Sequence, residues 1–164
     1  MKNFWLPLLF ALTGCIGNPT TDIPAVKNFN AEKYMGKWYE YARLPNRFED
    51  GMTDVQTEYS PAKNGMIKVV NRGIKNNRQK EISGWAKFAG KNNEGELLVS
   101  FFRPFYSSYR IIKLAPDYRY SIVCGSDRKY LWILSREKNL TETDKQEIME
   151  FLKKHQFPTE KLIF

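Results

Sequence analysis

The sequence holds a single histidine, His155, and two cysteines, Cys15 and Cys124. A Cys/His zinc cluster is therefore excluded, and any nucleophile–histidine–acid triad would have to draw on that one histidine. Long hydrophobic runs are missing as well: the apolar stretch at 4–12 is less than half of the ~20 residues that a membrane-spanning helix needs. At 164 residues there is room for one domain and little for a second. No internal repeat and no low-complexity tract interrupts it. Carboxylates are in deficit, with 18 Asp and Glu against 26 Lys and Arg, for a net charge of +8. That surplus suits anionic lipid, nucleic acid or acidic ligands without selecting among them. What is abundant is aromatic, 15% of residues within an apolar total of 42%, so a packed core is within reach and a disordered polybasic tail is excluded.

The first residues read as an export leader: Lys2, the apolar run at 4–12, then small residues before Cys15. Leu12-Thr13-Gly14-Cys15 is similar to a bacterial lipobox, in which the cysteine is acylated and the chain is cut just before it. This predicts a leader over 1–14, a lipidated tether over 15–26 containing Pro19 and Pro24, and a folded domain over 27–164. Cys15 is then the lipid attachment, and Cys124 is left without a disulfide partner in the mature chain. An ordinary secretory leader with Cys15 as a free thiol is the other reading. Ile16, where aspartate would retain a lipoprotein at the inner membrane, implies the bacterial outer membrane. Export also removes nucleic acid as a partner, whatever the basic charge suggests.

From Gly36 onward, short alternating segments are separated by Gly, Asn and Pro, which is an all-β pattern. Strands are expected near 37–44, 53–60, 65–72, 79–88, 95–102, 108–114, 118–124 and 130–135. Eight strands joined by short turns predict an antiparallel up-and-down barrel. Thr141, with Asp144 three residues on, can cap a helix whose apolar stripe is Ile148, Phe151, Leu152 and His155. That helix should pack on the outside of the barrel, and the tail to Phe164 can lie extended against the same wall.

Three segments then match one family. Gly36-Lys37-Trp38 opens the first strand, Asp117-Tyr118 opens the seventh, and Arg136 closes Tyr130-Leu131-Trp132-Ile133-Leu134-Ser135. Together they resemble the lipocalins, over roughly 27–164. With the lipobox, Trp38-Tyr39-Glu40 and Ser100-Phe101-Phe102-Arg103-Pro104-Phe105-Tyr106 are similar to the bacterial outer-membrane lipocalins, relatives of apolipoprotein D. The resemblance implies a lipocalin barrel whose calyx binds fatty acid, phospholipid or lysophospholipid and stores or moves it during envelope stress. It implies no cofactor and no metal, and it allows a homodimer with no interface legible in the residues. It also implies that Gly36, Trp38, Asp117, Tyr118 and Arg136 are structural, with Arg136 lying across the Trp38 ring at the closed end.

If Trp38 points inward, alternation sends Glu40, Ala42 and Leu44 inward with it. A carboxylate such as Glu40 inside an apolar barrel must be hydrogen-bonded, paired or protonated. By the same parity the expected cavity walls include Val55, Thr57, Tyr59, Val69, Ala86, Phe88, Leu97, Val99, Phe101, Tyr109 and Ile111. Tyr130, Trp132 and Leu134 join them from the last strand. Small residues at Ala42, Gly84 and Ala86 leave room for a ligand rather than a filled core. Loops near 45–53, 71–80, 103–107 and 125–129 form the mouth. They carry Arg47, Arg72, Lys75, Arg78, Lys80, Arg103, Arg128 and Lys129 against Glu49, Asp50 and Asp127, a rim suited to anionic headgroups. Phe48, Met52, Phe105 and Tyr106 are the apolar residues of those loops. The leading function is thus a lipid-binding lipoprotein without chemistry of its own. An enzyme using Cys124 as nucleophile lacks a visible activating neighbour, and a filled barrel acting through its surface is the third class.

Overall fold

The structure is a computed structural model and describes residues 23–164, so the leader and Cys15 lie outside the described residues. Eight strands follow in order: β1 (Gly36–Arg43), β2 (Thr53–Pro61), β3 (Ile67–Lys75), β4 (Arg78–Phe88), β5 (Glu96–Phe102), β6 (Phe105–Leu114), β7 (Tyr120–Cys124) and β8 (Leu131–Ser135). Each pairs antiparallel with its sequence neighbours, and β8 returns to β1, so no edge is left open. A single turn of helix, α1 (Ala31–Tyr34), precedes the barrel, and α2 (Glu142–Lys154) follows it. The expected up-and-down order holds throughout. The expected mouth loop at 71–80 does not: β3 and β4 run into a two-residue turn, Asn76-Asn77, both at positive φ.

Strict alternation fails in β1. Glu40 is opposite Leu134 and Ala42 is opposite Ile133, so Tyr41 is one residue too many on its strand. Tyr41 and Ala42 consequently both face outward, and everything beyond them is inverted. Ala42 and Leu44 are not cavity residues. They pack on the outer cluster with Ile122, Cys124, Leu131 and Ile133, beneath Ile148 and Leu152 of α2. Arg43 takes the inward place instead and is 6% exposed.

The helix sits on that outer cluster for reasons its own sequence supplies. Thr141 Oγ1 accepts from the backbone N–H of Asp144, and the Asp144 carboxylate accepts from the Thr141 hydroxyl at 2.8 Å. Asp144, 2% exposed, also receives the Arg119 guanidinium from just before β7. That pair holds its carboxyl below the ordinary aspartate range. His155 stacks on Phe151 at the helix end, a packing role. Beyond the helix, Ile163 exchanges both backbone hydrogen bonds with Arg43, extending the sheet where β1 has parted from β2.

At the other end the barrel is closed from within. Trp38 is fully buried and its indole N–H donates to the Tyr34 carbonyl at 2.8 Å. The Arg136 guanidinium lies 3.9 Å from the centre of its ring and donates to the carbonyls of Lys37 and Lys33. Gly36 stands at φ +90°, where a side chain would be strained, beside that guanidinium. Asp117 pairs with Arg119, while the Tyr118 hydroxyl accepts from the backbone N–H of Asn30, tying the β6–β7 turn to the segment before α1. Within the stretch placed by composition in the tether, Ile23 is 3% exposed and Val26 hydrogen-bonds to Ile111 and Gly95.

Because Arg136 combines one ring contact with two charged donations, Arg136→Ala should lower the unfolding free energy by about 2–3 kcal/mol in urea titration. Arg136→Lys should recover less than half of that, since an ammonium cannot bridge both carbonyls and cover the ring.

Candidate functional site

Two polar layers divide the barrel interior. Just above Trp38, Tyr109 reaches the hydroxyls of Tyr34 at 2.9 Å and Tyr59 at 2.7 Å, and Tyr34 also reaches Ser121 at 3.1 Å. Burial pushes the Tyr34 hydroxyl up to about 12 and raises those of Tyr59 and Tyr109 well above the ordinary tyrosine range, so all three stay neutral and serve as hydrogen-bonding groups. Between the rings lie Val69, Ala86, Leu97, Ile111, Val123 and Leu134.

The second layer belongs to the mouth. Past β1, Asn46 Oδ1 accepts from the backbone N–H groups of Phe48 and Glu49, turning the β1–β2 loop so that Glu49 points down into the barrel. Glu49 Oε2 accepts from the Trp132 indole and from Asn46, each at 2.8 Å. Below it Arg43 pairs with Glu40 and donates to the carbonyls of Glu49 and Met52, so one guanidinium holds both the carboxylate and the loop. Side-chain exposures of 5% for Glu40 and 13% for Glu49 mean that two carboxyl groups share this one cation away from water. Burial, and then the charge of Glu49, raise the Glu40 carboxyl to about 7 despite Arg43.

Between the layers the inward side chains are not sealed. Val99, Phe101 and Trp132 pack against the inner core yet remain partly accessible. Tyr130 stacks on Trp132 and touches Phe48 of the loop above. These inward-facing, partly accessible apolar side chains form the candidate ligand wall.

The lipocalin-like domain model matches residues 29–164. The chain belongs to the lipocalin family. It is 39% identical over 158 residues to outer membrane lipoprotein Blc of Citrobacter freundii, covering 94% of this chain and 89% of the relative. It is 40% identical over 156 residues to outer membrane lipoprotein Blc of Vibrio cholerae, covering 93% and 91%. Among solved structures, insecticyanin of the tobacco hornworm Manduca sexta superposes with a TM-score of 0.72 at 23% identity, over 87% of this chain and 82% of that one, a likeness of fold alone. With such relatives the lipocalin is a lipid-anchored protein of the outer membrane.

Of the expected walls of this lipocalin, Val55, Thr57, Tyr59, Val69, Ala86, Leu97 and Ile111 are buried, and Phe88, Val99, Phe101, Tyr109, Tyr130 and Trp132 are partly accessible. Ala42 and Leu44 are outside, through the β1 bulge. Gly84 leaves no free space either: a Cβ there would stand 2.7 Å from the Phe101 ring, which uses the room. The rim also changes. Arg72 is on the outer wall between Glu58 and Glu81, Arg103 lies over Trp85, and Arg128 reaches the His155 carbonyl and the Phe157 ring. Met52 packs on Gly73 rather than facing outward into solvent. Alternation passed over Arg43 and Glu49, which no local pattern separates from surface charge, and Tyr34, which precedes the first strand.

Glu40 sets a pH dependence. Its raised folded-state value means that the native lipocalin holds a proton that the unfolded chain releases above about 4.5. The contribution to stability is therefore complete below that pH and is lost as pH rises through about 7, by at most ~3 kcal/mol. Urea unfolding at pH 5 and pH 8 should show that decline in the parent and a flatter response in Glu40→Gln.

Proposed function

We propose that this lipocalin holds fatty acid, phospholipid or lysophospholipid in its calyx and stores or transports it for envelope maintenance under stress. Lipocalins bind small hydrophobic molecules, and the observation that favours an acyl chain here is the partly accessible apolar wall of Val99, Phe101 and Trp132 beneath the Glu49 loop. Burying about 25 cal/mol per Å² of chain surface drives entry without any reaction. The polar end of the ligand finds its partners above. Asn71 Oδ1 is buried with no hydrogen-bond partner among the described residues, next to Thr57 in the wall, and accepts from a hydroxyl or ammonium. Lys75, Arg78 and Lys80, at the β3–β4 tip, share the inward register of Gly73 and suit a phosphate or carboxylate. In this reading Cys15 carries the acyl anchor.

Among the described residues, nothing in the calyx supports turnover through a thiol. Cys124, 1% exposed, belongs to the outer cluster under α2, so a lipid in the barrel does not meet its sulfur.

Titrating a lysophospholipid against Trp132 fluorescence tests the site. Val99→Trp, which fills the accessible level, should weaken binding about tenfold or more. Leu44→Ala should cost about 2–4 kcal/mol of stability and leave affinity unchanged, because that residue serves the helix seat. Reversing Arg78 and Lys80 to Glu should lower affinity for a fatty acid relative to a neutral monoacylglycerol. In cells, Cys15→Ala should abolish palmitate incorporation and release the protein from the membrane fraction.

A further inference from the structure

The outer wall carries an open groove of about 710 Å³ that the calyx does not use, lined chiefly by Lys63, Met66, Trp85, Lys87, Arg103 and Tyr106. Register exposes it: Ala86 faces inward, so Trp85 and Lys87 face out, and Trp85 is 37% exposed. The short turn Lys63–Gly65 forms one side and the β5–β6 tip the other. That tip carries Phe102 and Phe105, 72% and 77% exposed.

Charge on this face is unopposed. Arg103 lies 5.5 Å from the centre of the Trp85 ring and Lys87 lies 4.6 Å from that of Tyr106. Neither these two nor Lys63 has an ion-pair partner among the described residues, and no carboxylate lines the groove. Arg72, on the same wall, is by contrast held by Glu58 and Glu81 at 2.8 Å each. Tryptophan, tyrosine and cations at one level, next to bare phenylalanines, match the layering of a phospholipid surface.

The tether brings such a surface to this wall. The Ile23 carbonyl accepts from Arg110, and Arg110 and Tyr106 lie four residues apart on the outward register of β6, about 13 Å. The eight residues from Cys15 to Ile23 span at most roughly 28 Å. We propose that the groove and the Phe102/Phe105 tip seat the barrel on an anionic phospholipid bilayer, with phosphates meeting Lys63, Lys87 and Arg103 and the two rings entering the headgroup boundary. The tip borders the mouth, so this seat holds the calyx opening beside the membrane.

Vesicle flotation tests the proposal with the chain from Ile16 onward, which keeps every element of the closed barrel and α2. It should float with phosphatidylethanolamine vesicles containing about 30% phosphatidylglycerol and not with phosphatidylcholine vesicles. The triple variant K63E/K87E/R103E should lose on the order of 100-fold in apparent affinity, and F102S/F105S about tenfold. K63R/K87R/R103K should retain binding. The lysophospholipid titration should be unchanged in every variant, which separates a folding or calyx failure from loss of the seat. A parent chain that stays with the aqueous phase, or a triple variant that floats as well as the parent, overturns the proposal. So does a dimer that F102S/F105S dissociates while vesicles are ignored, which would make the face a self-contact.

Discussion

One extra residue in β1 determines what each side of the barrel wall does. Because Tyr41 is accommodated as a bulge, the second half of the strand gives Ala42 and Leu44 to the seat of α2 and Arg43 to the interior. Arg43 is then able to meet Glu40 three residues earlier, which an unbroken strand would place on the opposite face. The same guanidinium holds the loop carbonyls of Glu49 and Met52, and Arg43's backbone receives the C-terminal Ile163. Helix packing, the buried charge cluster, the loop over the mouth and the docking of the tail all depend on that local shift.

The interior is most tightly filled at its closed end. At the closed end, rings from Phe29, Tyr34 and Trp38 leave no room, and Arg136 covers them from outside. Above them the tyrosine hydroxyls satisfy one another, so this level has polar groups without an uncompensated charge. Toward the mouth the wall of Val99, Phe101 and Trp132 is apolar and partly accessible, beneath a loop fastened by Glu49 to Trp132. An acyl chain placed there would have the neutral tyrosines below it and the cations of the β3–β4 tip above.

Much of this was legible from residue patterns, and the exceptions have physical causes. Period-two alternation, turn residues and the Thr141 cap are local signals, and they located eight strands and α2 within a few residues. Trp38 and Arg136, although about a hundred residues apart, were legible through the family resemblance and meet as expected. A bulge has no composition of its own, so Ala42 and Leu44 were assigned to the wrong face. Arg72 was misplaced because a two-residue Asn-Asn turn replaced an expected loop and left it in mid-strand between two glutamates. Arg43 and Glu49 are ordinary charges in sequence; only their meeting around Trp132 makes them part of the site.

Carrying a lipid requires that the upper barrel be an open cup and not a filled core. Native mass spectrometry of the chain from Ile16 onward, as purified and after delipidation and reloading with a lysophospholipid, tests it most directly. One lipid bound per barrel, removable and restored unchanged in mass, is the predicted result. A chain that never carries lipid and does not take it up would mean a barrel filled by its own side chains, with the function assigned to the outer surface.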